Sequence, residues 1–193
     1  MNATPSSRSW ICGLSLSWAV CAALPLFPLS IAAQQGPSKE YQLKAVFIFN
    51  FAQFVSWPTN AFTNTNAPII IGVLGNNPFN DYLDQIVHGE KVQGRPLEMH
   101  YYRTVDEITR CHVLFISRSE AARLDEIVAK LRGRSTLTVA DVEGFTDRGG
   151  MIQFLTRQNK IRLRINLAPV KTANLTISSK LLRPAQIVAS GKA

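Results

Sequence analysis

Ile69-Ile70-Ile71-Gly72-Val73-Leu74-Gly75-Asn76-Asn77-Pro78 is the stretch on which the fold turns. Its first six positions are aliphatic or glycine with no polar alternation, the pattern of a strand covered on both faces. Gly75-Asn76-Asn77-Pro78 then makes a turn. Asn77 is placed as a helix cap and Pro78 as the first residue of a helix that runs to about Val87 and stops at Gly89. Downstream the alternation repeats. Leu97–Arg103 is a strand, and Thr104 with Glu107 has capping-box spacing for a short helix over Val105–Arg110. His112–Ser117 is a second buried-type strand, Ser119 opens a helix reaching Leu131 before Gly133, and Thr136–Val139 is a fourth short strand. After the loop Ala140–Gly150, Met151–Thr156 and Lys160–Ile165 alternate around Arg157-Gln158-Asn159 as a β-hairpin. The tail from Leu167 to Val188 suits one or two short helices broken by Pro169 and Pro184.

Strands alternating with helices need right-handed crossovers that cover a parallel sheet on both sides. The expected fold is therefore α/β, a three-layer α/β/α sandwich with a mostly parallel sheet and an antiparallel edge hairpin. Strand order is not legible at this stage.

Upstream, Tyr41–Val55 reads as a helix with Ser38 as its cap and Pro58 beyond its end. Only Gln42, Lys44, Asn50 and Gln53 interrupt its apolar residues, so it is apolar over more than half its circumference. Phe47, Phe51 and Phe54 form one stripe, and Tyr41, Ala45, Ile48, Ala52 and Val55 a second. A second stripe left in water makes an association surface, for a homodimer or another partner. The alternative is that the segment Leu167–Val188 buries both stripes within the monomer.

Residues 1–33 read as a signal peptide, leaving a single α/β domain over residues 34–193. Arg8 precedes an apolar run from Trp10 to Ile31, and Ser30-Ile31-Ala32-Ala33 offers the small side chains a signal peptidase requires. An uncleaved span is the alternative, since about 20 apolar residues can cross a bilayer. Removing Arg8 from 21 basic residues leaves 20 against 13 acidic ones, a net charge of +7. Cys12 and Cys21 leave with the leader, so Cys111 alone remains and no intrachain disulfide forms. Export and the lack of aromatic interleaving among the basic residues argue against nucleic acid as a partner.

No catalytic residue is assigned. The chain has no Gly-x-Ser-x-Gly elbow, His-Glu-x-x-His, phosphate-binding loop or dinucleotide fingerprint. His88, His100 and His112 lack metal-ligand spacing, Cys111 reads as a small buried hydrophobe, and Asp141, Glu143 and Asp147 are acids gathered in a loop. No metal and no cofactor is expected. Ligands of open α/β sheets bind beyond the carboxyl ends of the parallel strands. That edge would gather Asn76 and Asn77 with Ser117, Arg118 and Ser119, an arrangement suited to a carboxylate or phosphate; the same residues also serve as plain caps. In the last hairpin strand Lys160, Arg162 and Arg164 share one face, with Arg157 nearby. This ladder is either a docking face for an acidic partner or membrane headgroups, or an edge kept soluble by charge.

The stretch from Tyr41 to Pro58 (YQLKAVFIFNFAQFVSWP) resembles the start of the YfiR family. So do Ile71-Gly72-Val73-Leu74-Gly75, Gly149-Gly150-Met151-Ile152, and Arg164-Ile165-Asn166-Leu167 leading on to Leu175 through Leu182. The resemblance covers nearly all of the chain after the leader. It implies a periplasmic α/β repressor that holds a YfiN-type inner-membrane diguanylate cyclase inactive and that a YfiB-like outer-membrane lipoprotein sequesters, so governing cyclic di-GMP, biofilm formation and motility. The disulfides of family members do not carry over to a single cysteine. A periplasmic small-ligand sensor or binding module for another membrane signalling protein is the second reading.

Overall fold

The computed structural model describes residues 36–158 and 160–188. The signal-peptide reading of residues 1–33 therefore lies outside the described residues.

Helix α1, Lys39–Phe54, begins where Ser38 Oγ accepts from Tyr41 N–H, and it ends in an extended Val55. Strand β1, Val55–Ser56, follows at once, and a 3-10 turn over Thr59–Ala61 carries the chain to β2, Ile69–Leu74. Helix α2 is shorter than the sequence suggests, spanning Tyr82–Val87. Asn77 does not cap it. Its Oδ1 accepts from Phe79 N–H at 2.9 Å and its Nδ2 donates to Asn80 O at 2.9 Å, closing a local turn that delays the helix. A small strand β3, Lys91–Val92, pairs antiparallel with the start of β4, Arg95–Tyr102. The expected helix at 105–110 is a 3-10 turn over Val105–Glu107. Strand β5 is Val113–Ile116. The helix after it opens as a 3-10 segment, Arg118–Arg123, capped by Ser117 rather than Ser119, and continues as α3, Leu124–Leu131.

Strand β6, Leu137–Ala140, and the hairpin β7, Ile152–Arg157, with β8, Lys160–Asn166, lie where the alternation places them. In the tail, α4, Leu167–Thr172, contains Pro169 in its first turn, where the missing N–H has no helical partner to lose. Then come β9, Thr176–Ile177, helix α5, Ser179–Leu182, and β10, Gln186–Val188.

The main sheet has the order β10-β8-β7-β6-β5-β2-β4-β3, and β1 pairs with β9 apart from it. Strands β4, β2, β5, β6 and β7 are mutually parallel, and β7–β8 is the antiparallel hairpin. The fold is thus the expected mostly parallel α/β sandwich, with one addition: β10 runs parallel to β8 over Arg164–Asn166 and outflanks the hairpin there. Side-chain parity divides the core in two. Ile69, Ile71, Val73, Val113, Phe115, Leu137 and Val139 pack under α1 and α2. Leu74, Leu114, Ile116 and Ala140 pack under α3 with Phe145. Gly72 is required in the central strand, because a Cβ there would lie 2.7 Å from the Tyr102 ring and 2.8 Å from Cys111 Sγ.

Candidate functional site

The carboxyl ends of β2, β5 and β6 bring Asn76, Ser117, Arg118, Ser119 and Asp141 to one edge, as α/β topology dictates. Their hydrogen bonds, however, are made among themselves. Ser117 Oγ accepts from Ser119 N–H at 3.4 Å, and Ser119 Oγ accepts from Asn76 N–H at 3.0 Å while donating to Glu120 Oε1 at 3.3 Å. Gly75, at φ +86°, lets the β2 turn press so close that a Cβ would fall 2.4 Å from Ser119 Oγ. Arg118 does not stand between two hydroxyls waiting for an anion; its Nε lies 3.2 Å from Asp141 Oδ2. The anion cradle expected of Asn76, Asn77, Ser117, Arg118 and Ser119 is not formed, because the bonds of Asn76, Ser117 and Ser119 are made to one another and carboxylates of Asp141 and Glu120 sit beside Arg118 and Ser119. Asn77 is engaged in its own turn.

In place of a cradle stands a charge cluster rooted on α1. Lys44 is fully buried, with Nζ 2.6 Å from Asp141 Oδ2 and 2.6 Å from Glu40 Oε1. Tyr41 OH donates to the same Asp141 oxygen at 2.9 Å, and Lys44 Nζ sits 4.5 Å from the centre of the Tyr41 ring. Thr156 Oγ1 on β7 donates to Glu40 at 2.9 Å. The bond from Lys44 holds the Glu40 carboxyl below its usual range, whereas burial first and then Asp141 push the Tyr41 hydroxyl up to about 12. Asp141 Oδ1 is buried without a hydrogen-bond partner. The arrangement pairs two carboxylates with two cations and ties the first turns of α1 to the ends of β5, β6 and β7. It can lock elements in register. The sequence signal for it was the Glu40–Lys44 spacing of four, and the sequence reading passed over it.

Cys111 and His112 are structural. Burial pushes the Cys111 thiol up to about 12, and its Sγ donates to Val113 O at 3.2 Å. His112 Nδ1 accepts from Ile70 N–H at 2.9 Å, and its ring stacks on Phe62 with centroids 4.6 Å apart. Among the described residues no group of three or more His, Cys, Asp or Glu side chains is placed to hold a metal ion.

The association residues fare unequally. Phe51 is a core residue and not an interface residue: it is fully buried and stacks on Phe154 at 5.9 Å. Phe47 and Phe54 are half-buried against the same core, to which the tail contributes Val170, Ala173, Leu175, Ile177 and Leu181. The solvent-facing stripe of α1 is instead Leu43 and Val46, 46 % and 38 % exposed, flanked by Phe47, Asn50 and Phe54. In the basic ladder Lys160 and Arg162 are exposed, but Arg164 is half-buried and bonds Asp147 Oδ2 at 2.7 Å, because the loop after β6 folds over that face of the hairpin.

No curated protein matches this chain. A family model described as YfiR/HmsC-like matches residues 41–186, from the third residue of α1 to the first residue of β10, and so takes in both halves of the core and the charge cluster except Glu40. An α/β sandwich whose strand ends close on themselves, matched along nearly its whole described length, belongs to the YfiR/HmsC-like family, a regulatory rather than catalytic family of cyclic di-GMP signalling.

Proposed function

We propose that this protein is exported to the periplasm and there represses an inner-membrane diguanylate cyclase of the YfiN type by binding it, lowering cyclic di-GMP, with a YfiB-like outer-membrane lipoprotein as its sequestering partner. The observation that carries the binding role is the stripe on α1. Leu43 and Val46 are the two large apolar side chains of that helix left exposed, and the helix beneath them is anchored at Lys44 and Phe51. A rigid helix with an outward apolar stripe is a helix-face anchor for a partner or a second copy.

The test replaces Leu43 and Val46 by Glu, singly and together, and measures thermal stability of the purified variants and cyclic di-GMP in cells carrying the cognate cyclase. Folded variants that no longer repress are the expected result. Folded variants that repress as well as wild type would remove the stripe from the mechanism.

A small-ligand role finds its best support away from the strand ends. A cavity of about 410 Å³ lies between α3 and α4, lined by Val128, Leu131, Thr138, Met151, Asn166 and Pro169 among others. Its apolar walls suit a small apolar molecule.

A further inference from the structure

Strand β4 is the longest of the described strands, at 8 residues, yet β3 covers its outer side only at Arg95 and Pro96. The Leu97 N–H still finds Glu90 O at 3.0 Å. Beyond that point no described strand lies outside β4. On the inner side Tyr102 O accepts from Gly75 N–H at 2.9 Å, and successive residues of a strand direct their main-chain groups to opposite sides. The N–H and C=O groups of Met99 and Tyr101 therefore point outward, away from β2. Natural edge strands are commonly blunted by proline, a bulge or a covering element. After Pro96 this edge has no proline.

Helix α2 runs beside the open edge and leaves two hollows against it. One, of about 640 Å³, is lined by Asp81, Asp84, Val87, Leu97 and Met99 among others; the next, of about 610 Å³, by Gly75, Asp81, Asp84 and Tyr101 among others. Tyr101, 47 % exposed, crosses between them and donates its hydroxyl to Asp84 Oδ2. The groove is acidic in a basic protein. Asp81 and Asp84 stand on its α2 wall and Glu98 on the other face of β4, while Arg103 lies only at its far end. An open strand edge beside a helix, with hollows for alternate side chains, is the geometry by which extended peptides add to a sheet.

We propose that the outer edge of β4 accepts an extended, lysine- or arginine-rich segment of another protein as an added strand. Its main chain bonds Met99 and Tyr101, and its cationic side chains lie against Asp81 and Asp84 on one face and Glu98 on the other. Charge argues against a second copy as occupant, since two such edges would bring like carboxylates together. The inference is independent of the cyclase reading, which rests on the α1 stripe.

The test uses ¹⁵N-labelled protein and an N-acetylated octapeptide of alternating valine and lysine, with a valine–glutamate octapeptide as control. In free protein the amide hydrogens of Met99 and Tyr101 are expected to exchange faster than those of His100 and Tyr102, which face β2. The lysine peptide is expected to slow exchange at Met99 and Tyr101 by roughly tenfold or more, the control to have no effect. Met99→Pro removes one outward donor without touching the β2 ladder and is expected to weaken binding about tenfold. Asp81→Asn with Asp84→Asn, which leaves the backbone untouched, is expected to weaken it about as much. Equal binding of the two peptides, undiminished binding to both folded variants, or self-association through β4 without peptide would each overturn the proposal.

Discussion

At the scale of single residues, His112 shows how burial becomes a pH dependence. Its Nδ1 is committed to Ile70 N–H, its carbonyl accepts from Trp57 Nε1 at 3.2 Å, and burial pulls its pKa from 6.5 to about 4. The unfolded chain therefore takes up a proton below pH 6.5 that the folded chain refuses until about pH 4. The stability this contributes is complete above pH 6.5 and is lost as pH falls toward 4. His112→Asn keeps an acceptor for Ile70 and removes the titration. Urea midpoints measured from pH 7 to pH 4 are expected to fall less steeply for the variant than for wild type, and parallel curves would contradict the assignment. Cys111 has the opposite character: with its thiol raised to about 12, it is a packing atom beside Gly72 and no thiolate near neutrality.

At the scale of elements, α1 is held by two unlike devices. Phe51 and Ile48 bury apolar surface under the sheet, and Lys44 reaches Asp141 at the end of β6. A buried ion pair adds little when replaced whole by apolar groups, but breaking one leaves a charge without its partner. Lys44→Met is expected to cost about 3 kcal/mol in urea denaturation at pH 7, and adding Asp141→Leu to recover part of it. Arg118 touches the same oxygen, but its side chain is 63 % exposed, so Arg118→Met is expected to cost no more than about 1 kcal/mol. Equal costs for the two single variants would show that Lys44 is not the buried partner that matters. The same helix shows why amphipathicity misled at Phe51: Phe154 and the tail from Val170 to Leu181 fill the side of α1 that one sheet face alone would have left open.

At the scale of the whole molecule, we propose that residues 1–33 are a cleaved leader, whose loss with Arg8 would take the net charge from +8 to +7. If the small residues at the leader's exit are a peptidase site, protein recovered from the periplasm has the mass of a chain beginning after Ala32 or Ala33. Recovery of full-length protein beginning at Met1 would replace that reading with an uncleaved anchor. Sheet order is the other whole-molecule property, since it makes β10 and β3 the flanking strands and leaves most of β4 bare.

The sequence by itself determined the alternation of buried strands and helices, the β7–β8 hairpin and the family, because each is written in local periodicity, turn residues or contiguous motifs. Residues 69–74 and 112–117 read as buried strands, and the structure places strands at 69–74 and 113–116. Tertiary structure alone decided which strand lies at an edge, that Lys44 meets Asp141 across 97 positions, and that Phe51 is core while Leu43 and Val46 are surface. The strand-end residues Asn76, Ser117, Arg118 and Ser119 were correctly brought to one edge, yet the sequence could not show that they would satisfy one another. Local patterns report which face of an element is apolar. What covers that face, and which distant charge answers a buried one, is fixed only when segments far apart in the chain compete for the same space.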